Sequence, residues 1–358
     1  MRARFSFAQR RLAAHVSAAS GAYSAHVNTG FVGIIGLGPW GRNHARVLAA
    51  RGWLRSGFDL DAETLQALPE SLRAASLAAL LDDAALRAVV VATPARTHFA
   101  VAQEALLAGK DVLVEKPLTL DEEEGEELVR LARRRQRVLM AGHITLYHPA
   151  YQRLRALQRA GELGRIRYIY SNRLNLGTVR AEEDILWSFA PHDIAAFLDL
   201  TGHWPEKVGA HGGSFLREGR SDVTVTHLEF PEGVRGHIFV SWLHPTKEHR
   251  LVVVGERRMA VFSDDRNGGR LTLFDAGADA GVALNLAARD CGEVIPVEAA
   301  EPLEIELAHF VDCVRTRREP VTGARHGLEV LRVLETARRS MLAGGTALEC
   351  QRIGVLGT

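Results

Sequence analysis

Phe31-Val-Gly-Ile-Ile-Gly-Leu-Gly-Pro-Trp-Gly41 decides how the chain is read. Its first five residues are nearly all apolar, as a strand buried on both faces requires. Its last six form a G-x-G-x-x-G turn, and a helical pattern runs on from Pro39 to Ala50. Placed between strand and helix, such a turn suits a dinucleotide. Gly36 permits the tight bend, Gly38 lets the backbone approach a pyrophosphate, and Gly41 packs the helix on the strand. The helix amino terminus then offers N–H groups and a positive dipole end to the phosphates. Pro39 suits the first helical turn, where its missing N–H is not needed. With Trp40 beside it, Pro39 is counted among the cofactor-binding residues. Asp59 closes the next strand, 23 residues after Gly36. A carboxylate there accepts from a ribose 2′-hydroxyl and repels a 2′-phosphate, so NAD is expected in preference to NADP. Asp61 is a rival for that contact, and Arg55 weakens the exclusion of NADP.

Working outward, apolar runs and helical patterns alternate. Strands are expected over 54–58, 88–92, 111–115 and 138–141, with helices over 77–81, 98–108 and 121–135. That alternation means a parallel, doubly wound α/β sheet with both faces covered, here a dinucleotide-binding domain over residues 30–143. Beyond it the pattern changes. Helices are expected over 149–160, 191–200, 303–315 and 325–342, and several extended runs lie between Lys207 and Phe274. The clearest are 223–226, 236–240, 251–254 and 259–262. Residues 144–358 therefore read as an α+β substrate and oligomerisation domain with a mostly antiparallel sheet.

Composition bounds the alternatives. The 358 residues carry 44 basic and 43 acidic side chains, a formal net charge of +1 that offers no footprint for nucleic acid. No apolar run approaches the roughly 18 residues of a membrane span, so no membrane partner is expected. Three separated cysteines, Cys291, Cys313 and Cys350, make neither a disulfide framework nor a zinc spacing and read as buried or neutral thiols of a reducing, cytoplasmic protein. His143 and His148 are close in sequence but lack a third ligand, and no metal is expected. Residues 1–29 hold four arginines and no acid. They read as a tail outside the fold, with a transit-like segment or an upstream start as alternatives.

Three further segments carry a family resemblance. Ala92-Thr-Pro-Ala-Arg-Thr-His98 and Glu115-Lys-Pro117 each follow a strand, and Trp187-Ser-Phe-Ala-Pro-His-Asp193 opens a helix beyond the first domain. With the glycine turn they resemble the glucose–fructose oxidoreductase/inositol dehydrogenase (Gfo/Idh/MocA) family over nearly all of residues 31–345. The resemblance implies an NAD(P)-dependent oxidoreductase acting on CH–OH groups. Ligands of open parallel sheets bind beyond the carboxyl ends of the strands, where Thr93, Pro94, Glu115 and Lys116 should ring the nicotinamide. By resemblance Lys116 touches both the substrate hydroxyl and the nicotinamide ribose. His98 lies near the cofactor, with helix capping as its alternative role. His192 is the expected general base, because histidine titrates near neutrality and alcohol oxidation must remove a hydroxyl proton. A nearby Lys116 cation would keep that imidazole neutral and stabilise an alkoxide. Relatives often carry Asp one turn before this histidine; here the residue is Ser188.

Gly142 to Pro149, Asn172 to Gly177, Ile185 to Ile194 and Ser241 to Lys247 resemble the branch of the family that acts on nucleotide-activated sugars. This implies oxidation of a secondary sugar hydroxyl, at C3 of a UDP-N-acetyl sugar. Arg173 and Arg180 are candidates for a carboxylate or pyrophosphate, with an exposed strand position as the alternative for each. Tyr147 and Asn175 are candidates for sugar hydroxyls. Trp187, His192 and Asp193 complete the expected substrate set, and Trp242 is read as a core or interface residue. A free inositol or monosaccharide, and a non-catalytic NAD- or sugar-binding regulator, remain as alternatives. The open sheet face implies a homodimer or homotetramer.

Overall fold

The computed structural model describes residues 30–177, 179, 183–265, 268–275 and 292–354. The amino-terminal tail, Arg180 and Cys291 lie outside the described residues. Strands β1 (Val32–Ile35), β2 (Leu54–Phe58), β3 (Ala88–Val91), β4 (Asp111–Glu115) and β5 (Leu139–Gly142) form one sheet in the order β2-β1-β3-β4-β5. Every pairing in it is parallel. β1, β3, β4 and β5 are buried along their whole length, which explains their continuous apolar runs. Helices α1 (Pro39–Ala50), α2 (Ala62–Leu65), α3 (Leu77–Asp82), α4 (His98–Leu107) and α5 (Glu122–Arg134) connect them.

Strands β6 (Ile166–Leu176), β7 (Lys207–Gly213), β8 (Val223–Glu229), β9 (Arg235–Ser241), β10 (Leu243–Gly255), β11 (Arg258–Asp265), β12 (Gly268–Asp275), β13 (Glu293–Ile295) and β14 (Leu348–Glu349) build a nine-stranded sheet. Its order is β13-β12-β11-β10-β6-β9-β8-β7-β14. Only β6 and β9 pair in parallel. Helix α6 (Pro149–Arg159) precedes the sheet in sequence, α7 (Ile185–Thr201) lies between β6 and β7, and α8 (Pro302–Thr316) and α9 (Ala324–Leu342) lie between β13 and β14.

Two expectations need correction. β6, the central strand of the large sheet, was not among the clear strands, because its polar outer residues interrupt the apolar pattern. Helix α7 begins at Ile185 rather than Pro191: Asp184 caps it by accepting from the Trp187 N–H at 3.1 Å. Pro191 therefore lies inside the helix, where a proline usually marks a start. The two sheets are tied together by the last helices. The Ala141 N–H donates to the Thr322 carbonyl at 2.8 Å, and Gly125 of α5 has no side chain to obstruct Leu331 of α9. Cys313 and Cys350 are buried free thiols.

Candidate active site

The glycine turn lies at the carboxyl end of β1. Gly36 has φ +91°, and a Cβ there would come within 2.7 Å of the Ala92 backbone. A Cβ on Gly41 would lie 2.0 Å from the Gly36 carbonyl oxygen, so only glycine lets α1 approach the strand. A Cβ on Gly38 would meet nothing within 4 Å. That open side of the turn, at the amino terminus of α1, fits a pyrophosphate. Asp59, half-buried at the end of β2, accepts from the Leu37 N–H at 2.6 Å and the Asp61 N–H at 2.9 Å. Its carboxylate keeps further lone pairs for ribose hydroxyls. Asp61 is occupied as the cap of α2, accepting from Glu63 N–H and the Thr64 hydroxyl. Arg55 is bonded to Asp83.

Glu115 ends β4 and is 8 % exposed. Its Oε1 accepts from Trp40 Nε1 at 2.5 Å and lies 2.7 Å from His44 Nε2, while Oε2 accepts from the Lys116 N–H at 3.2 Å. Trp40 and His44 stand one turn apart on α1 and meet the same carboxylate. Burial alone would raise the Glu115 pKa, but His44, Trp40 and Lys116 together hold it below its ordinary value. Glu115 thus pins α1 to the Lys116 loop, whose Lys116–Pro117 bond is cis. His98 is 1 % exposed. Its Nδ1 lies 2.7 Å from the Pro117 carbonyl and its Nε2 2.9 Å from the Thr93 carbonyl. Burial lowers its pKa against the pull of those carbonyls. Its ring joins the two loops, with both nitrogens facing backbone. Thr93 Oγ1 accepts from Thr97, and Pro94 opens the 3-10 turn Ala95–Thr97.

Lys116 reaches across to the second domain. Its Nζ donates to the Ser188 carbonyl at 2.7 Å, one helical turn before His192 on α7. Burial lowers the His192 pKa well below its ordinary value, and Arg173, Lys116, His143 and His249 push the same way. Lys116 is thus held one helical turn from His192, close enough for its charge to disfavour a proton on that imidazole.

Arg173 on β6 and Asp193 on α7 form a nearly buried bidentate pair, Nε to Oδ2 at 2.9 Å and Nη2 to Oδ1 at 3.3 Å. Arg173 also lies on the same face as two residues not anticipated from the sequence. His249 of β10 is its register partner, and Asp264 of β11 lies 3.8 Å from His249 Nδ1. Alternating positions on the quoted Ser241–Lys247 motif and its continuation, read as period two, were the available signal. The row floors a cavity of about 350 Å³ whose rim includes Trp40, Thr145, His148 and Lys247. Gly269 lies under His148: a Cβ would come within 1.9 Å of its ring. Asn175 extends the same face of β6 and is half-buried.

Two expected substrate contacts are corrected. Tyr147 is 3 % exposed, its hydroxyl 3.1 Å from Thr322 Oγ1 and its ring against His309, so it belongs to the core beneath α8. Trp187 is 6 % exposed and also packs into the core. In both cases an amphipathic ring suited to a sugar is equally suited to burial. Trp242 is a core residue, donating to Asp222 at 2.7 Å. A larger groove of about 1330 Å³ lies at the opposite, amino-terminal ends of the parallel strands. Several of its arginines are paired, Arg317 with Asp111 and Arg318 with Asp312 among them.

A glycine turn at a parallel sheet's carboxyl edge, facing a lysine and a histidine from separate domains, defines a dinucleotide-dependent oxidoreductase. Comparison with known proteins agrees. Residues 31–143 match the model of the oxidoreductase family's NAD-binding Rossmann fold, and residues 151–261 match the GFO/IDH/MocA C-terminal domain. The chain belongs to the Gfo/Idh/MocA oxidoreductase family. It is 33% identical to UDP-N-acetylglucosamine 3-dehydrogenase of Acidithiobacillus ferrooxidans over 86% of this chain and 94% of that protein. The solved structure of that enzyme superposes with a TM-score of 0.77 over 87% of this chain and 97% of that one, at 29% identity. Scyllo-inositol 2-dehydrogenase (NAD(+)) of Bacillus subtilis is 26% identical over 68% of this chain and 71% of its own. Among the described residues, no helix is long and apolar enough to cross a membrane.

Proposed function

We propose that this chain oxidises a secondary hydroxyl of a nucleotide-activated sugar, at C3 of a UDP-N-acetyl sugar, using NAD. The observation that supports the reading is the Lys116 hydrogen bond to the Ser188 carbonyl, which ties the loop after β4 to the helix that carries His192 one turn further on. The 33% identity to a UDP-N-acetylglucosamine 3-dehydrogenase supports the substrate class. The glycine turn and Asp59 fit NAD, which when bound supplies the hydride acceptor. His192 takes the hydroxyl proton, Lys116 stabilises the developing alkoxide, and the Arg173–Asp193 pair with Asn175 orients ring hydroxyls.

The test is reduced-nicotinamide absorbance with purified protein, NAD and a panel of UDP-sugars, inositols and free hexoses. UDP-sugar turnover that disappears in Lys116→Ala and His192→Ala supports the reading; binding without turnover would make the chain a sensor. A second reading, a free cyclitol or monosaccharide, is favoured by one observation. Arg173 is engaged by Asp193 through two hydrogen bonds, which leaves its guanidinium fork closed to a phosphate or carboxylate. Turnover with inositol alone would establish it.

We also propose that the large sheet associates with a second copy through its open face. There Tyr170 stacks on His237 at 5.1 Å and Tyr168 lies alongside at 5.7 Å. Light scattering at micromolar concentration reads the mass; a monomer would refute the association.

A further inference from the structure

Each turnover of the dehydrogenase proposed above releases a proton at His192, and the rings behind His192 form a file leading away from the cleft. His143 lies 6.3 Å from His192 between ring centres, edge to face. His326 of α9 lies 5.4 Å beyond His143, again edge to face. Nδ1 of His192 and Nδ1 of His143 are buried without a hydrogen-bond partner, and His326 has the Ala195 carbonyl as its one nearby backbone acceptor. Buried polar atoms are nearly always satisfied by protein or by water, so the unpaired nitrogens on successive rings mark positions suited to water.

Two carboxylates, Asp199 with 9 % and Glu329 with 22 % of the side chain exposed, lie near enough to His326 to favour its protonated form. Asp199 accepts from the Tyr151 hydroxyl at 2.9 Å and pairs with Arg155 at 2.8 Å, while the neighbouring Arg159 extends outward. Glu329, one turn after His326 on α9, is paired with Arg325 at 3.0 Å. Burial is the largest cause at all three rings and lowers each pKa, well below the ordinary value at His192 and His143. Arg173, Lys116, His143 and His249 add to it at His192, and His326 and Lys116 at His143. At His326 Glu329, Asp199 and the Ala195 carbonyl pull the other way, against burial and Arg155.

We propose that His143 and His326, bridged by buried water, conduct the substrate's hydroxyl proton from His192 to Asp199 and Glu329. The balance is simple. The carbinol carbon gives its hydride to the nicotinamide dinucleotide, the hydroxyl oxygen gives its proton to His192, and the C=O bond forms. The proton then passes along the file, each imidazole accepting at one nitrogen and releasing from the other, so that every ring returns to neutral. In this scheme His143 and His326 act through His192.

The test separates proton from hydride. In rapid mixing of wild type with NAD and the UDP-sugar it turns over, a pH-indicator dye should report proton release in step with reduced-nicotinamide absorbance. In His143→Phe and His326→Phe, hydride transfer in the first turnover should stay within about threefold. Proton release should lag it at least tenfold, with kcat reduced and KM unchanged. Release that still keeps pace in His326→Phe, or two signals slowed equally, would overturn the proposal. Should His143→Phe not fold, His326→Phe, one ring further from the cleft, carries the kinetic arm. A high-resolution crystal structure of the resting protein tests the file without turnover. Ordered water between the rings supports it, and rings in dry contact would end it. Absence of wild-type turnover would instead end the dehydrogenase reading, and the relay with it.

Discussion

Lys116 and Ser188 join the two domains through a 2.7 Å hydrogen bond from the ammonium to a backbone carbonyl. The acceptor is main chain, so the ammonium is placed whatever the side chain at position 188. The Ser188 hydroxyl itself is buried and has no partner. The family resemblance marked this position as a departure, with serine where relatives often carry aspartate. The geometry explains how Lys116 keeps its place without that carboxylate.

Replacing Lys116 by Met should therefore remove charge stabilisation while keeping most of the stem's packing. Losing one preorganised donor to a developing oxyanion lowers rates by about 10²–10³. A drop of that order in kcat/KM, with NAD still bound as read by fluorescence quenching, is the expected outcome. Unchanged kcat/KM would remove Lys116 from the chemistry.

Asp59 holds the glycine turn, and the proposed function gives it the cofactor ribose as well. Its two backbone hydrogen bonds, to Leu37 and Asp61, hold the turn against β2. Asp59→Ser should weaken NAD binding and lift the repulsion of a 2′-phosphate. The ratio of kcat/KM for NAD over NADP should fall about tenfold or more, each tenfold step being about 1.4 kcal/mol. A ratio that does not move would assign the ribose contact to another group.

Arg173 and Asp193 couple β6 to α7 through a bidentate pair that is nearly out of solvent, with side-chain exposures of 13 % and 5 %. Removing one partner of a buried pair strands the other charge and costs about 3–5 kcal/mol, whereas removing both costs less than the sum. Arg173→Met and Asp193→Leu should each lower the melting temperature and raise the substrate KM. The double variant should recover part of the stability but not the KM. Strict additivity in stability would mean that the pair is not coupled.

Much of this was legible in the sequence where local pattern and tertiary environment agree. α1, β2 and β4 fall on the expected boundaries, since buried parallel strands and a proline-started helix announce themselves within a few residues. Gly36, Gly41 and Asp59 meet around one turn for the same reason. Side-chain partnerships across the fold were not legible. Tyr147 and Trp187 carried the chemistry of sugar contacts but were drawn into the core, and His249 and Asp264 joined the site only through strand register. The pairing of Trp40 and His44 on Glu115 had a local sign, their i,i+4 spacing, yet their common target is more than 70 residues away.

Glu306 lies on α8, fully buried, with neither carboxyl oxygen hydrogen-bonded. Burial pushes its pKa well above the ordinary value, and the charge of Glu115 adds to the effect. A carboxyl whose folded pKa is raised contributes stability that is fully present below its unfolded pKa. That contribution is lost as pH rises toward the folded pKa, because the folded state then holds the extra proton. From mildly acidic conditions upward, wild type should lose stability with a slope of up to about 1.4 kcal/mol per pH unit from this group. Glu306→Gln keeps the shape and cannot ionise, so that slope should vanish. Thermal melts from pH 5 to pH 9 should show the variant gaining on wild type as pH rises, with the two nearest at the acidic end. Parallel curves across the range would show that Glu306 ionises freely in the folded protein, through an opening to water beside α8.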